Sequence, residues 1–418
     1  GSYMKSNSNS FTMGGDLNLS YSHVTKEKHI FFYNLGTSFQ TSNDENYAFS
    51  AYGFPNETDF LYFARGYKAD DKPSAGESKA RELSFLGIFN YSFMDRYLLD
   101  ASLRTTGSSQ FGRDKRWGNF WSVGLGWNIQ NEPFIKDHEI GRIINLLKLR
   151  ASIGYSGSQN FNAYQAIPTY EYYPNYYYNG VNGAYLQAFP NTKLQWQEKF
   201  DKNIGLDLTL WEKLNLTFNY YMATTKNSIS QLTVAPSVGF TSYAENIGDI
   251  ENKGFDLNLN YLVFNIPATR SYLSLNFTIA SNTNRIKKIS DALKKYNETM
   301  DADKEGESSM ASGDRDKLTR PAPRYVEGRS MTAIWGVQSA GIDPLTGKEV
   351  FIRPNGERTF EWSTNDQVVI GDSRPKVHGT FGFNFEWKGF SLNTVCSYQM
   401  GGDYYNTTLV DKVENADI

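Results

Sequence analysis

"RYLLDASLRTTGSSQFGRDKRWGNFWSVGLGWNIQNEPF" (residues 96–134) is the stretch that decides the fold. It holds two runs in which apolar residues alternate with polar or small ones, joined by a glycine-dotted, basic connection. On the first run Tyr97, Leu99, Ala101 and Leu103 share one side, and Leu98, Asp100, Ser102 and Arg104 the other. On the second, Val123, Leu125, Trp127 and Ile129 alternate with Gly124, Gly126 and Asn128. A period of two is a strand, because successive side chains point to opposite faces of a sheet. The side with Asp100 and Arg104 requires water; the other requires an apolar medium.

The same pattern recurs along the chain. Period-two runs predict about twelve strands, near 15–24, 28–40, 82–93, 97–106, 119–129, 146–156, 200–211, 213–225, 253–263, 271–282, 378–388 and 389–400. Leu17, Leu19 and Tyr21 alternate with Asp16, Asn18 and Ser20; Ile204, Leu206, Leu208 and Leu210 with Gly205, Asp207 and Thr209. Phe255, Leu257, Leu259 and Tyr261 alternate with Asp256, Asn258 and Asn260, and Phe381, Phe383, Phe385 and Trp387 with Gly382, Asn384 and Glu386.

Connections alternate short and long. The short ones are 24–29, 94–96, 211–214, 264–270 and 387–390, with the helical-looking "NEPFIKDHEIGRIIN" (131–145) the longest; the long ones span 41–81, 107–118, 157–199, 226–252 and 283–377. An antiparallel barrel in an outer membrane has this asymmetry, with short periplasmic turns and long extracellular loops. Phe93, Tyr97, Trp127, Trp211, Tyr261, Trp387 and Phe390 all lie beside the short turns, where an interfacial aromatic girdle belongs. The apolar set then faces lipid, and Asp100, Arg104, Asp207, Asp256 and Glu386 face the lumen.

Composition supports an all-β chain and excludes several functions. In 418 residues there are 28 Tyr, 28 Phe, 8 Trp and 35 Gly but only 13 Pro. A net charge of −3 gives no basic stripe for nucleic acid. The single cysteine, Cys396, allows no disulfide framework and no cysteine-based zinc site, and reads as a small strand residue. No run reaches the ~18 apolar residues of a membrane helix. The start, "GSYMKSNSNSF", has no hydrophobic signal-peptide core.

From "DRYLLDASLRTTGSSQFGRDKRWGNFWSVGLGWNIQNEPF" the chain resembles the SusC/RagA family of TonB-dependent outer-membrane transporters of Bacteroidetes. The family pattern is departed from at Thr106, usually Asp, and Trp121, usually Pro. Further segments follow in the family's order: "LKLRASIGYSGSQNFNAYQ" (147–165), "LQWQEKFDKNIGLDLTLW" (194–211), "ENIGDIENKGFDLNLNY" (245–261), "SAGIDPLTGKEVF" (339–351) and residues 370–406. The resemblance implies a partial transmembrane β-barrel, residues 1–418 forming middle to late strands of a roughly 22-stranded wall, without signal peptide or plug. It implies no enzyme and no cofactor. It also implies active import of a large nutrient, usually an oligosaccharide and in some members a peptide. The partners it implies are a SusD-like surface lipoprotein and the TonB–ExbB–ExbD complex acting on the plug, with a dimer of barrel–lid pairs left open. A passive porin-like barrel and a soluble glycan-binding β protein are the competing readings.

Remaining motifs have two uses each. The tyrosines Tyr170, Tyr172, Tyr173, Tyr176, Tyr177 and Tyr178 either stack on sugar rings and hydrogen-bond their hydroxyls, or pack the loop on its neighbours or on a partner protein. "FPNETDFLYFARGYKADDK" (54–72) starts like a capped helix, either to meet the lipoprotein or to pack its own loop down. "DADKEGESSMASGDRDK" (301–317) mimics a calcium loop but has Ser312 where the bidentate Glu belongs, so a solvated tip and no metal site is expected. "GIDPLTGKEVF" reads as a turn between short strands. "GRDKRWG" (112–118) is basic enough to meet lipopolysaccharide or a ligand carboxylate, or is simply solvated. No Ser-His-Asp order, paired carboxylates or phosphate loop stands out.

Overall fold

The structure, a computed structural model, describes residues 2–53, 66, 74–111, 115–158, 169–179, 181–188, 196–233, 242–291, 293–294, 297 and 324–406. In chain order the strands are β1 (Ser2–Thr25), β2 (His29–Tyr52), β3 (Ser74–Phe93), β4 (Tyr97–Ser108), β5 (Trp117–Asn128), β6 (Ile144–Ser158), β7 (Thr169–Tyr178), β8 (Val181–Ala188), β9 (Gln197–Leu210), β10 (Leu214–Thr233), β11 (Ser242–Ile266), β12 (Ser271–Ile289), β13 (Ala333–Ile342), β14 (Glu349–Ile352), β15 (Arg358–Thr359), β16 (Gln367–Asp372), β17 (Val377–Trp387) and β18 (Phe390–Met400).

Twelve of these form one antiparallel wall in the order β1-β2-β3-β4-β5-β6-β9-β10-β11-β12-β17-β18. All twelve expected strands are present, each beside its sequence neighbour in the wall. Among the described residues β1 and β18 do not pair with each other, so this segment of wall does not close on itself. A β7–β8 hairpin and a four-stranded sheet, β15-β14-β13-β16, occupy two of the long connections.

The strands run further than their alternation predicts. β1 and β2 have 24 residues each, about 80 Å of extended chain at ~3.3 Å per residue, where a tilted membrane crossing needs only ~9–11. Their added halves pair Asn7 with Tyr47, Ser8 with Asn46 and Ser10 with Asp44. Beyond the lipid neither face has to be apolar, so the ladder continues while the hydrophobic signal fades. The expected long loops shrink accordingly, 41–81 to 53–73 and 226–252 to 234–241.

Three short connections begin with two consecutive residues at positive φ: Lys26 and Glu27 (50° and 56°), Met94 and Asp95 (56° and 53°), and Trp211 and Glu212 (52° and 57°). The β17–β18 hairpin uses Lys388 (50°) and Gly389 (94°). Paired positive φ values match the right-handed twist of the flanking strands. Only the last pair contains glycine, so strand pairing rather than turn preference sets these hairpins. Residues 131–145, expected to be helical, form a single α-turn, α1 (Pro133–Lys136), flanked by 3-10 turns at Ile129–Asn131 and Glu139–Arg142. Ile129 therefore leaves the strand face on which the alternation had put it.

The four-stranded sheet is tied to the end of β12. Asn284 Oδ1 accepts from Ser330 Oγ at 2.8 Å and from Met331 N at 2.9 Å, and Ile286, Ile289 and Leu293 form a small core with Tyr325 and Met331. "GIDPLTGKEVF" is the turn between β13 and β14, in which Asp343 accepts from Leu345 N at 3.2 Å and Thr346 Oγ1 at 2.7 Å. Those two donors hold the Asp343 carboxyl below its ordinary range, with the Thr346 hydroxyl the larger cause.

Candidate functional site

Register places the five predicted polar residues on one face of the wall. Asp100 lies opposite Asn90 and Gly124, and Arg104 opposite Leu86 and Phe120. Across the next strands Ser152 pairs with Gly124, Gly205 with Arg150, Asn219 with Gly205 and Asp256 with Asn219. Asp207, two residues from Gly205, shares that face; Glu386 joins it further on, opposite Tyr272 and Ser391.

Four of the five belong to hydrogen-bonded ladders, Asp100 by accepting from Asn90 Nδ2 at 2.5 Å. Arg150 grips Asp207 through Nε at 2.7 Å and Nη2 at 2.9 Å and reaches Asn219 Oδ1 at 3.1 Å; Asn219 Nδ2 then donates to Asp256 at 2.8 Å. A Cβ on Gly205 would lie 2.7 Å from Asn219 Oδ1 and 2.9 Å from Arg150 Nη2, so the missing side chain is what lets the ladder cross that strand. Arg104 donates to Glu82 at 3.2 Å, Ser84 at 3.1 Å and Thr106 at 3.0 Å. Arg150, Asn219 and Glu82 were not singled out in the sequence. The polar alternation marked their face, but their pairing follows from register, which alternation does not specify.

A recess opens on this face where β4, β5 and β6 approach the long connections. Its cavity of about 580 Å3 is bordered by Glu82, Ser102, Arg104, Ser122, Phe120 and Trp196. Trp196 stacks on Phe111 with centroids 4.2 Å apart and meets Phe120 edge-on at 5.3 Å. Phe111 and Trp196 are 2% and 8% exposed, so this cluster is a firm floor. A Cβ on Gly157 would collide with the Phe120 ring, which ties this glycine to a ring's close approach. Alternation missed Phe111 and Trp196 because both lie just outside strands; their aromatic character inside the basic and tyrosine-rich connections was the available signal.

The opposite face is apolar and open. Leu17, Leu19, Leu35, Leu103, Leu125, Ile204 and Leu392 are exposed on it, a continuous surface of a kind soluble monomers rarely carry. At its short-turn end His29, Phe93, Tyr97 and Trp127 form a cross-strand row, with Phe93–Tyr97 and Tyr97–Trp127 stacked at 6.3 and 6.4 Å. Tyr261 pairs with Leu214 at the start of β10, Trp387 pairs with Phe390, and Trp211 sits in the β9–β10 turn. All seven predicted girdle residues thus stand beside short connections.

Glu132 ties part of that row together. Its Oε1 accepts from Tyr97 Oη at 2.8 Å and Trp127 Nε1 at 3.0 Å, and Arg96 is 3.5 Å from its other oxygen. The Trp127 N–H, followed by the Tyr97 hydroxyl, holds the Glu132 carboxyl below its ordinary range.

Of the tyrosine loop, the backbone of the β7–β8 hairpin and the Tyr170 side chain, 68% exposed, are seen. The side chains of Tyr172, Tyr173, Tyr176, Tyr177 and Tyr178 lie outside the described residues, as do the 301–317 segment and all of 54–72 except Gly66. Within the basic connection 112–118, residues 112–114 are likewise outside. Among the described residues no cluster of three or more His, Cys, Asp or Glu could hold a metal.

A two-faced antiparallel wall with its short turns at one end defines a membrane β-barrel, and comparison with known proteins specifies which class. Residues 1–325 match the family model for TonB dependent receptor-like, beta-barrel, and the chain belongs to that family. The barrel wall of that family resides in the outer membrane. The chain is 28% identical over 361 residues to TonB-dependent receptor P39 of Formosa agariphila, covering 80% of this chain and 34% of that protein. It is 29% identical over 332 residues to TonB-dependent receptor SusC of Bacteroides thetaiotaomicron, covering 76% of this chain and 32% of that protein. The chain thus spans about a third of the length of these relatives. In fold it is similar to the RagAB peptide importer in its closed-closed state, with a TM-score of 0.78 at 22% identity, covering 96% of this chain and 42% of that one.

Proposed function

We propose that this chain is barrel wall and extracellular loops of an active importer that brings a large nutrient, most simply an oligosaccharide, across the outer membrane. The observation that carries this reading is the aromatic-floored recess on the polar face. It combines a stacking surface, Phe120 and Trp196, with hydroxyl, carboxylate and guanidinium groups suited to sugar hydroxyls. Asp100, Arg104, Asp207, Asp256 and Glu386 line the lumen in this account, and Phe93, Tyr97, Trp127, Trp211, Tyr261, Trp387 and Phe390 form the periplasmic girdle. A SusD-like lipoprotein closes over the extracellular loops, and the TonB–ExbB–ExbD complex drives the cycle through a plug inside the barrel.

A second reading, an oligopeptide cargo, draws on the Arg104–Glu82 pair, which offers both charges to peptide termini. A passive porin has no use for a lid or for TonB. Co-purification of a surface lipoprotein in roughly equal amount, and uptake that stops when the proton-motive force is collapsed, support the importer; a detergent-free monomer contradicts it. The tyrosine hairpin is a second ligand surface: changing Tyr172, Tyr173, Tyr176 and Tyr177 to Ala lowers uptake while the barrel still assembles. Unchanged growth on the cognate nutrient would remove the hairpin from the ligand path.

A further inference from the structure

We infer that residues 132–143 form a membrane-surface anchor, lying on the outer side of the wall at its short-turn rim with Phe134, Ile140 and Ile143 inserted in the inner leaflet of the outer membrane. The inference rests on the reading that the apolar face of the wall meets lipid.

One end of the segment is fastened to the aromatic row of that face and the other to the backbone of the β9–β10 turn. At the start, Glu132 accepts from Tyr97 Oη and Trp127 Nε1, two side chains whose odd-numbered register puts them on the apolar side. At the end, the Ile143 carbonyl accepts from Trp211 N at 2.8 Å, and Asn145 Oδ1 accepts from Glu212 N at 2.7 Å. The chain therefore leaves β5 outward, follows the rim from the β4–β5 aromatics to the β9–β10 turn, and only then enters β6. Asn128 Nδ2 and Asn131 Nδ2, donating to the Asp95 carbonyl at 2.9 and 2.8 Å, prevent the start from swinging away.

Within the segment the apolar residues divide sharply. Ile135 is 6% exposed and packs inward, whereas Phe134, Ile140 and Ile143 are 57%, 48% and 40% exposed. The two short turns behave as one body, because a Cβ on Gly141 would lie 2.6 Å from the Ile135 carbonyl oxygen. One exposed apolar side chain means little, since folded surfaces carry many. Three on one compact segment, continuous with a lipid-facing row that includes Tyr97, occupy the depth at which amphipathic segments bind a bilayer. The charged residues Lys136, Asp137, Glu139 and Arg142 are all exposed, as headgroup depth requires.

Single cysteines at positions 134, 140, 125 and 136, in a Cys396→Ser background of the full-length receptor, test this. Each is labelled with bimane and reconstituted in vesicles of phosphatidylethanolamine and phosphatidylglycerol. Brominated phospholipid is the lipid quencher and iodide the aqueous one. The expected result is that Phe134→Cys and Ile140→Cys are quenched by brominated lipid comparably to Leu125→Cys in the wall, while Lys136→Cys is quenched by iodide. Iodide quenching at 134 and 140, or protection there from both quenchers, as under a protein partner, overturns the anchor. Failure of lipid quenching at Leu125→Cys instead overturns the lipid-facing wall, so the two failures are distinguishable. If one variant does not assemble, the other reads the same depth.

Discussion

Glu132 is one carboxylate that holds together two girdle aromatics and the segment that follows them. Replacing it with Ala leaves the Tyr97 hydroxyl and the Trp127 N–H without their acceptor. The expected outcome is a lower temperature for the loss of the compact form on heat-modifiability gels, with Glu132→Gln closer to the parent. Its carboxyl is depressed in the folded state, chiefly by Trp127 and Tyr97. The stabilisation is therefore present above the ordinary Glu range and is lost as pH falls through the lowered folded value. Acid should loosen this rim in the parent but change it little in Glu132→Ala, as hydrogen exchange of residues 132–143 would report. In the recess, Arg104→Ala should weaken ligand binding roughly ten- to hundredfold, since hydrogen bonds to charged groups contribute ~1.5–3 kcal/mol. Calorimetry on the purified complex checks this, and unchanged affinity would separate Arg104 from the ligand.

Strands and turns were legible to different degrees. The alternation of Tyr97 to Leu103 against Leu98 to Arg104 fixed both the strand and its two faces, because only one medium suits each set of side chains. The outer halves of β1 and β2 were hidden for the same reason: Ser6 to Ser10 and Asn43 to Tyr47 are wet on both faces and carry no period. Turn chemistry was a poor guide as well, with Met94 and Trp211 at positive φ where glycine or asparagine would be preferred. Met94→Gly should accordingly raise stability by ~0.5–1 kcal/mol, the relief of a left-handed residue offset by greater unfolded-chain entropy. Gly154 is the converse case: a Cβ there would lie 2.8 Å from the Trp121 carbonyl oxygen and 2.9 Å from Ser122 Cβ. Gly154→Val should lower stability by ~1–3 kcal/mol. Thermal unfolding in detergent distinguishes both from neutral changes.

At the scale of the molecule, the wall divides two media. Lipid demands that every backbone group be bonded within the wall, and twelve strands in sequence-neighbour order supply this everywhere but along the outward edges of β1 and β18. The face was readable from sequence and the recess was not, since Glu82 and Trp196, far apart in the chain, border one cavity only in the folded wall. The most direct test of the account is a cysteine scan of β4, Tyr97 through Ser108, in a Cys396→Ser background, spin-labelled in bilayers. Oxygen accessibility should peak at 97, 99, 101 and 103, and aqueous nickel accessibility at 98, 100, 102 and 104. A scan without that alternation, or with its phase reversed, would contradict the assignment of lipid and lumen faces on which the account stands.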